Sequence, residues 1–200
     1  MPASSPSNTN PTRTALLSAA ETLFLAEGYD AVSVRAICAA AKANPAAVHY
    51  HFGSKDQLTI ELLQARLAPI WAEALDRFDP EFSDVRDLVD VVLRPFVEIQ
   101  NDPHGRLHLR LLGRFVLGHP DATWTDPWFR LDRWSGVLAT LVPGLSADDA
   151  RRRWALAFQL ILARFGDDRR LSASAVHALS DFVVAGLCAP ATQPTEQENE

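Results

Sequence analysis

From residue 58 to residue 187 the apolar side chains of this chain recur every three or four positions, over 58–78, 85–99, 107–117, 128–141, 150–165 and 175–187. No stretch alternates with period two for long enough to make a strand. Each such segment has one apolar stripe to bury, and successive segments must pack stripe against stripe. The breaks between them are turn chemistry: Asp79-Pro80, Asn101-Asp102-Pro103, Gly118-His119-Pro120, Pro143-Gly144 and Gly166-Asp167-Asp168. A chain of 200 residues that is 48% hydrophobic can bury a substantial core. The expected fold class is therefore all-α, with about nine helices and no internal repeat.

The first 55 residues carry a different rhythm, of short helices with firm starts and stops. Asn10-Pro11 supplies an N-cap and first helical residue, Leu16, Ala20, Leu23 and Phe24 share one face, and Gly28 ends the helix. Ser33 caps a second, short helix with Val34, Ile37 and Ala41 turned inward. After a three-residue turn, Asn44 as N-cap and Pro45 at the first helical position predict a third helix over 45–51. Gly53 breaks it, and Ser54-Lys55-Asp56-Gln57 reads as a capping box opening a long fourth helix. Two short helices joined by a tight turn and covered by a third make a helix-turn-helix, a unit suited to reading DNA.

Charge agrees with that placement. The chain carries −6 overall, yet residues 1–55 hold Arg13, Arg35, Lys42 and Lys55 against Glu21, Glu27 and Asp30, a net +1 that leaves −7 for the rest. The only two lysines, Lys42 and Lys55, flank the third helix.

The stretch AETLFLAEGYDAVSVRAICAAAKANPAAVHYHFGSKDQL resembles the TetR family of bacterial repressors. The resemblance rests on small residues and Phe in the first helix with Gly at its end, Arg35 and Ile37 in the second, Tyr50-His51-Phe52 closing the third, and Ser54-Lys55 behind it. It implies a three-helix DNA-binding domain over 11–55 and a larger effector-binding and dimerisation domain over 56–189. It also implies that Pro45, Ala46, Ala47, His49, Tyr50 and His51 lie in the major groove or against its walls. Ser33, Arg35 and Asn44 would touch backbone or an adjacent base, and Lys55 would hold a phosphate at the start of the fourth helix. Ala46 and Ala47 offer only methyl groups, so polar discrimination would fall to Arg35, His49 and His51. The family's turn usually carries Gly where this chain has Lys42, which places a non-glycine residue near a left-handed conformation.

The same resemblance implies a homodimer through the last two helices and a small-molecule effector held among the middle ones. Candidates for that pocket are Leu67, Ile70, Trp71, Val92, Phe96, Leu107, Leu111, Phe115, Trp124, Trp128 and Trp134. Arg110 and Arg114, one helical turn apart, would meet an acidic ligand group or pair with surface Asp and Glu. The stretch HGRLHLRLLGRFVLGHP, with RRWALAF later, is similar to the subgroup that senses long-chain fatty acids or their thioesters; a xenobiotic or aromatic metabolite is the rival effector. The expected mechanism is repression of a palindromic double-stranded operator, relieved when effector binds.

Other classes are weighed against this. His104, His108 and His119 suggest a metal-sensing site, though Gly105 follows the first and no carboxylate lies between the first two. A helical adaptor that binds only proteins leaves the third-helix pattern without a purpose. No GxSxG, P-loop or dinucleotide fingerprint is present, so neither an enzyme nor a cofactor is expected. Cys38 and Cys188 sit in apolar helical patterns and are expected to be buried. Residues 1–10 and 190–200 read as disordered tails. No run is apolar enough to span a membrane and no signal peptide is evident, so the expectation is a cytoplasmic protein.

Overall fold

Capping decides where the first helices begin. The Asn10 side chain accepts from Thr12 N at 3.0 Å and opens α1 (Pro11–Glu27), whose Leu16, Ala20 and Phe24 are buried. Ser33 Oγ accepts from Ala36 N at 3.1 Å and opens α2 (Val34–Ala40). The third helix, α3 (Ala47–Phe52), is followed by α4 (Lys55–Asp76). This computed structural model describes residues 10–81, 83–118, 123–167 and 169–190, without the side chains of residues 74, 75 and 128. Both expected tails therefore lie almost wholly outside the described residues.

The larger part of the chain continues with α5 (Val85–Ile99), α6 (Pro103–Gly118), α7 (Leu131–Leu141), α8 (Ala147–Phe165) and α9 (Ala173–Cys188). Asp84 and Asp87 form a reciprocal capping box ahead of α5, with bonds of 3.0 and 2.9 Å. Ser146 and Ser172 cap α8 and α9. Nine α-helices and no strand are found among the described residues. The run expected over 128–141 is broken: Pro127–Phe129 is a separate 3-10 turn, and α7 starts only at Leu131. Two i to i−3 bonds close that turn, from Phe129 N to Asp126 O and from Arg130 N to Pro127 O, both at 3.1 Å. Ahead of it the buried Gln64 Oε1 accepts from Thr125 N and Asp126 N at 2.8 and 2.7 Å, tying this loop to α4.

One hydrophobic core runs through the molecule, from Leu16, Phe24, Ile37, Val48 and Phe52 through Leu58, Leu62 and Leu63 of α4 to Trp134 and Trp154. Within it α6 and α8 approach closely. A Cβ on Gly113 would stand 3.2 Å from Leu162 O and 3.5 Å from Gly166 Cα, and one on Gly166 would stand 3.4 Å from Leu109 O of α6 and 3.6 Å from Gly113 Cα. Glycine is needed at that crossing for room.

Polar contacts complete the joint between the three-helix unit and the rest. Glu21 of α1 accepts from Arg66 Nη2 of α4 at 2.6 Å and from His108 Nε2 of α6 at 2.7 Å. Farther along α6, Arg114 forms a bidentate pair with Asp30 at 2.7 and 2.8 Å. Between them lies Tyr29, its ring flanked by Lys55 Nζ at 4.0 Å and the Arg114 guanidinium at 4.6 Å, its hydroxyl donating to Asp56. Burial and the Asp56 carboxylate push the Tyr29 hydroxyl well above its ordinary pKa.

Burial lowers the pKa of His108 below that of a free imidazole, against the raising effect of Glu21. Neutral His108 must then carry its proton on Nε2 to donate to Glu21. Burial alone would raise the Glu21 carboxyl, but Arg66 and His108 hold it below its usual value. The unfolded chain takes up a proton on residue 108 near pH ~6.5 that the folded chain resists. Stability from this site is thus complete above that pH and falls as the pH drops through the lowered folded value. Urea unfolding midpoints between pH 7.5 and 5 should decline in the wild type, and His108→Gln should remove part of that slope. An unchanged slope in the variant would take His108 out of the account.

Candidate nucleic-acid interface

The turn before α3 is built from backbone bonds: Lys42 N donates to Ala39 O at 3.1 Å and Ala43 N to Cys38 O at 2.9 Å. Lys42 sits at φ 52°, in the left-handed region that its place in the turn led us to expect. Asn44 then acts twice, its side chain accepting from Ala46 N at 2.9 Å and its carbonyl from Ala47 N at 2.8 Å. These bonds shape residues 45 and 46 as a turn, so α3 begins at Ala47 rather than at Pro45 as the sequence predicts. An Asx side chain that bonds two residues on offers the backbone a turn in place of the first helical loop.

The face of α3 that packs is Ala47, Val48 and Phe52. Ala47 is only 7% exposed, so its methyl is turned to the core, whereas Asn44, Pro45, Ala46, His49 and Tyr50 lie at the surface. Tyr50 is 85% exposed and meets the half-buried His51 ring edge-on at 4.9 Å. Ser33 and Arg35 are exposed at the start of α2, the serine hydroxyl already engaged as a cap.

His49 Nδ1 lies 2.9 Å from Gly53 O. A carbonyl can only accept, so Nδ1 carries a proton, and whenever the ring is neutral Nε2 is its acceptor. Gly53, at φ 80°, provides the bend that brings its carbonyl round to His49. Lys55 Nζ donates to Tyr29 O and Val32 O, both at 2.9 Å, and so ties the loop between α1 and α2 to the first turn of α4. Ser54 Oγ accepts from Gln57 N at 3.0 Å as the cap of α4.

The aromatic set expected to line a pocket clusters in the larger domain, where Leu67, Trp71, Val92, Phe96, Leu107, Leu111, Phe115 and Trp134 are buried and Ile70 and Trp124 are half-buried. Trp71 lies tilted against Phe96 with ring centroids 4.9 Å apart, Phe96 likewise against Phe165 at 5.2 Å, and Trp134 lies 6.1 Å from Trp154. Phe115 instead meets Tyr29 edge-on at 5.5 Å, on the side of the joint. Of the two arginines, Arg110 is exposed and Arg114 takes the surface-acid alternative by pairing with Asp30. The Trp128 side chain and His119 lie outside the described residues. His104 is 3.9 Å from Asp102, His108 is engaged by Glu21, and no cluster of three metal-ligating side chains occurs among the described residues.

Cys38 is buried as expected, but Cys188 is exposed. The buried stripe of α9 is Leu179, Val183 and Leu187, and Cys188 lies one residue, about 100°, past it. Sequence reasoning also missed the joint. Glu21, Arg66 and His108 are 45 and 87 residues apart and form no local pattern. No helix among the described residues is long and apolar enough to cross a membrane.

Residues 16–62 match the family model for bacterial regulatory proteins, tetR family. The HTH-type transcriptional regulator UidR of Escherichia coli K12 is 30% identical over 96 residues, 48% of this chain and 46% of that protein. The matched stretch thus spans about half the length of that relative. Over the whole fold the chain is similar to NalD, the secondary repressor of the MexAB-OprM multidrug efflux pump in Pseudomonas aeruginosa. That likeness has a TM-score of 0.61 and 26% identity, and covers 91% of this chain and 99% of that one. A TetR-family regulator from Streptomyces coelicolor A3 shares the fold, with a TM-score of 0.52 and 19% identity over 93% of this chain and 99% of that one.

The left-handed residue in the turn gives a direct test of the local geometry. A left-handed non-glycine residue costs about 1–2 kcal/mol. Lys42→Gly should therefore stabilise by up to ~1 kcal/mol after its own chain-entropy cost, and Lys42→Val should destabilise by ~1 kcal/mol or more. Urea unfolding measures both. A glycine variant less stable than the wild type would mean that the lysine side chain, and not its φ, holds the turn.

Proposed function

We propose that the chain is a regulator of the TetR type, as the match of residues 16–62 and the likeness to NalD support, and that it is a transcriptional repressor binding a palindromic operator as a homodimer. The observation that carries the reading is the surface of α3 beside the start of α4: Ala46, His49 and Tyr50 exposed in a row, with Lys55 fixed behind them. Lys55 uses two of its three donors on carbonyl oxygens. The third, together with the amides opening α4, suits a phosphate. Arg35 and Asn44 would add contacts from the neighbouring turn, with Ser33, Pro45, Ala47 and His51 shaping the approach.

His49 sharpens the readout. A fixed Nε2 acceptor fits the amino group of adenine or cytosine in the major groove rather than a carbonyl edge. Ala46 can add contact with a thymine methyl.

Dimerisation is supported by an apolar stripe opposite the core side of the last two helices. Leu156, Leu160 and Ala163 follow one another at helical spacing on α8, and Ala178, Phe182 and Ala185 do so on α9. Leu156 and Phe182 are 68% and 69% exposed, large apolar side chains that a partner helix would cover. Two copies joined there would present two α3 helices to successive major grooves. The effector would be a small, largely apolar molecule among the aromatic side chains of the middle helices, a fatty acid or thioester or, as the likeness to an efflux-pump repressor suggests, a xenobiotic. Its binding would favour a spacing of the two α3 helices that no longer fits the operator.

Selection of bound fragments from random DNA should enrich a palindrome, and failure to enrich one at moderate salt would sink the reading. On the selected site, Lys55→Ala should weaken binding to all sequences alike and lower the salt slope by about one. His49→Ala should cost ~1–3 kcal/mol at one base pair of each half-site and little elsewhere. Phe182→Glu should turn the dimer into monomers in sedimentation velocity and reduce operator affinity at least tenfold. A dimer that survived this change would place the seam elsewhere.

A further inference from the structure

Between α5 and α9 the structure holds a cavity of about 660 Å³, within the size range of small-molecule sites. No residue expected to touch DNA or effector lines it. Arg86, Arg94 and Arg170 stand around it against one carboxylate, that of Asp90, in a chain that is acidic overall. Arg86 is paired with Asp181 at 2.8 Å, and His177 approaches the same carboxylate at 3.4 Å. Arg94 and Arg170, by contrast, have no ion-pair or hydrogen-bond partner among the described residues.

Two buried polar groups face the same space. Ser180 lines the cavity, is 5% exposed, and its Oγ has no hydrogen-bond partner. A serine inside a helix ordinarily turns its hydroxyl back to the carbonyl one turn earlier, so an unpaired one on a cavity wall is a group awaiting a ligand. Gln100 is also buried, and its Oε1 accepts from Leu171 N at 3.0 Å. That assigns the NH2 end, a pure donor, to the other side. The first residue of α9, Ala173, lies at the rim and adds the positive end of the helix. Apart from Asn101, whose amide donates to Val97 O at 3.1 Å, the remaining wall is apolar: Leu93, Val97, Leu171 and Val176.

We propose that this cavity binds an amphipathic organic anion, with a carboxylate or phosphate head against Arg94, Arg170, Ser180 and Gln100 and a short apolar body along Leu93, Val97, Leu171 and Val176. Arginine forks suit either head group. The site is distinct from the aromatic cluster of the middle helices and does not rest on the regulator reading. A seam through Phe182 would leave the site open, because Phe182 lies two residues beyond Ser180, about 200° around α9.

Isothermal titration of the full chain at low salt with octanoate, octyl phosphate and octanol tests the proposal. At least one anion should bind at one site per chain, and octanol at least tenfold more weakly. The Arg94→Ala/Arg170→Ala double variant should weaken that binding tenfold or more and Ser180→Ala several-fold, while Trp134→Phe in the aromatic cluster leaves it unchanged. Circular dichroism and operator binding of the double variant without ligand should match the wild type, which separates failure here from failure of the DNA-binding reading. The proposal is overturned if neither anion binds, if octanol binds as tightly, if the double variant binds like the wild type, or if affinity follows Trp134 instead of the arginines.

Discussion

A single carboxylate, that of Glu21, is shared by three helices that would otherwise settle their mutual angles by apolar packing alone. Arg66 approaches it from α4 and His108 from α6, at 2.6 and 2.7 Å. Apolar contacts between smooth helix surfaces tolerate some sliding and rotation, whereas hydrogen bonds to one anion do not. Buried ion pairs add little net stability once desolvation is counted, so the core from Leu16 to Trp154 supplies the free energy of folding and the Glu21 cluster supplies orientation.

The orientation is passed outward by neighbouring contacts. Tyr29 lies between two cations, Lys55 from α4 and Arg114 from α6, and Lys55 binds the carbonyls of the very loop that leads into α2. The placement of α2 and α3 is therefore bound to the start of α4 and to the far end of α6. At the opposite side α6 lies close on α8 through Gly113 and Gly166. Helix α6 is thus held at one face by ion pairs to the three-helix unit and at the other by close backbone contact with α8, which links the two parts of the chain.

How much of this was legible in the sequence depended on distance along the chain. Caps and helix periods involve residues within one or two turns, and Asn10, Ser33, Gly53 and the bounds of α5 were all readable for that reason. Local reasoning failed where two local preferences competed. Asn44 could cap a helix or close an Asx turn, and it closes the turn, which shortens α3. The run read as one helix over 128–141 instead has an isolated 3-10 turn, Pro127–Phe129, at its start. The exposure of Cys188 turns on one residue of helical phase. For the candidate site, residue identities pointed to the exposed face of α3, but the tautomer of His49 and the carbonyl tether of Lys55 are set by partners that only the folded chain brings near. The joint at Glu21 had no local signal at all.

The two halves of that joint differ in how solvent reaches them. Asp30 and Arg114 have side chains 78% and 43% exposed, while Glu21 and His108 are at 13% and 9%. Dissolved ions weaken exposed pairs over about 8–10 Å at physiological strength and leave enclosed ones nearly intact. Rising salt therefore weakens the Asp30–Arg114 pair before the contacts of Glu21. If α3 reads DNA as proposed, ionic strength acts on this protein in two places at once, at that surface and at the joint beside it. The steepness of a salt titration then reports the loosening of the protein as well as the release of counterions.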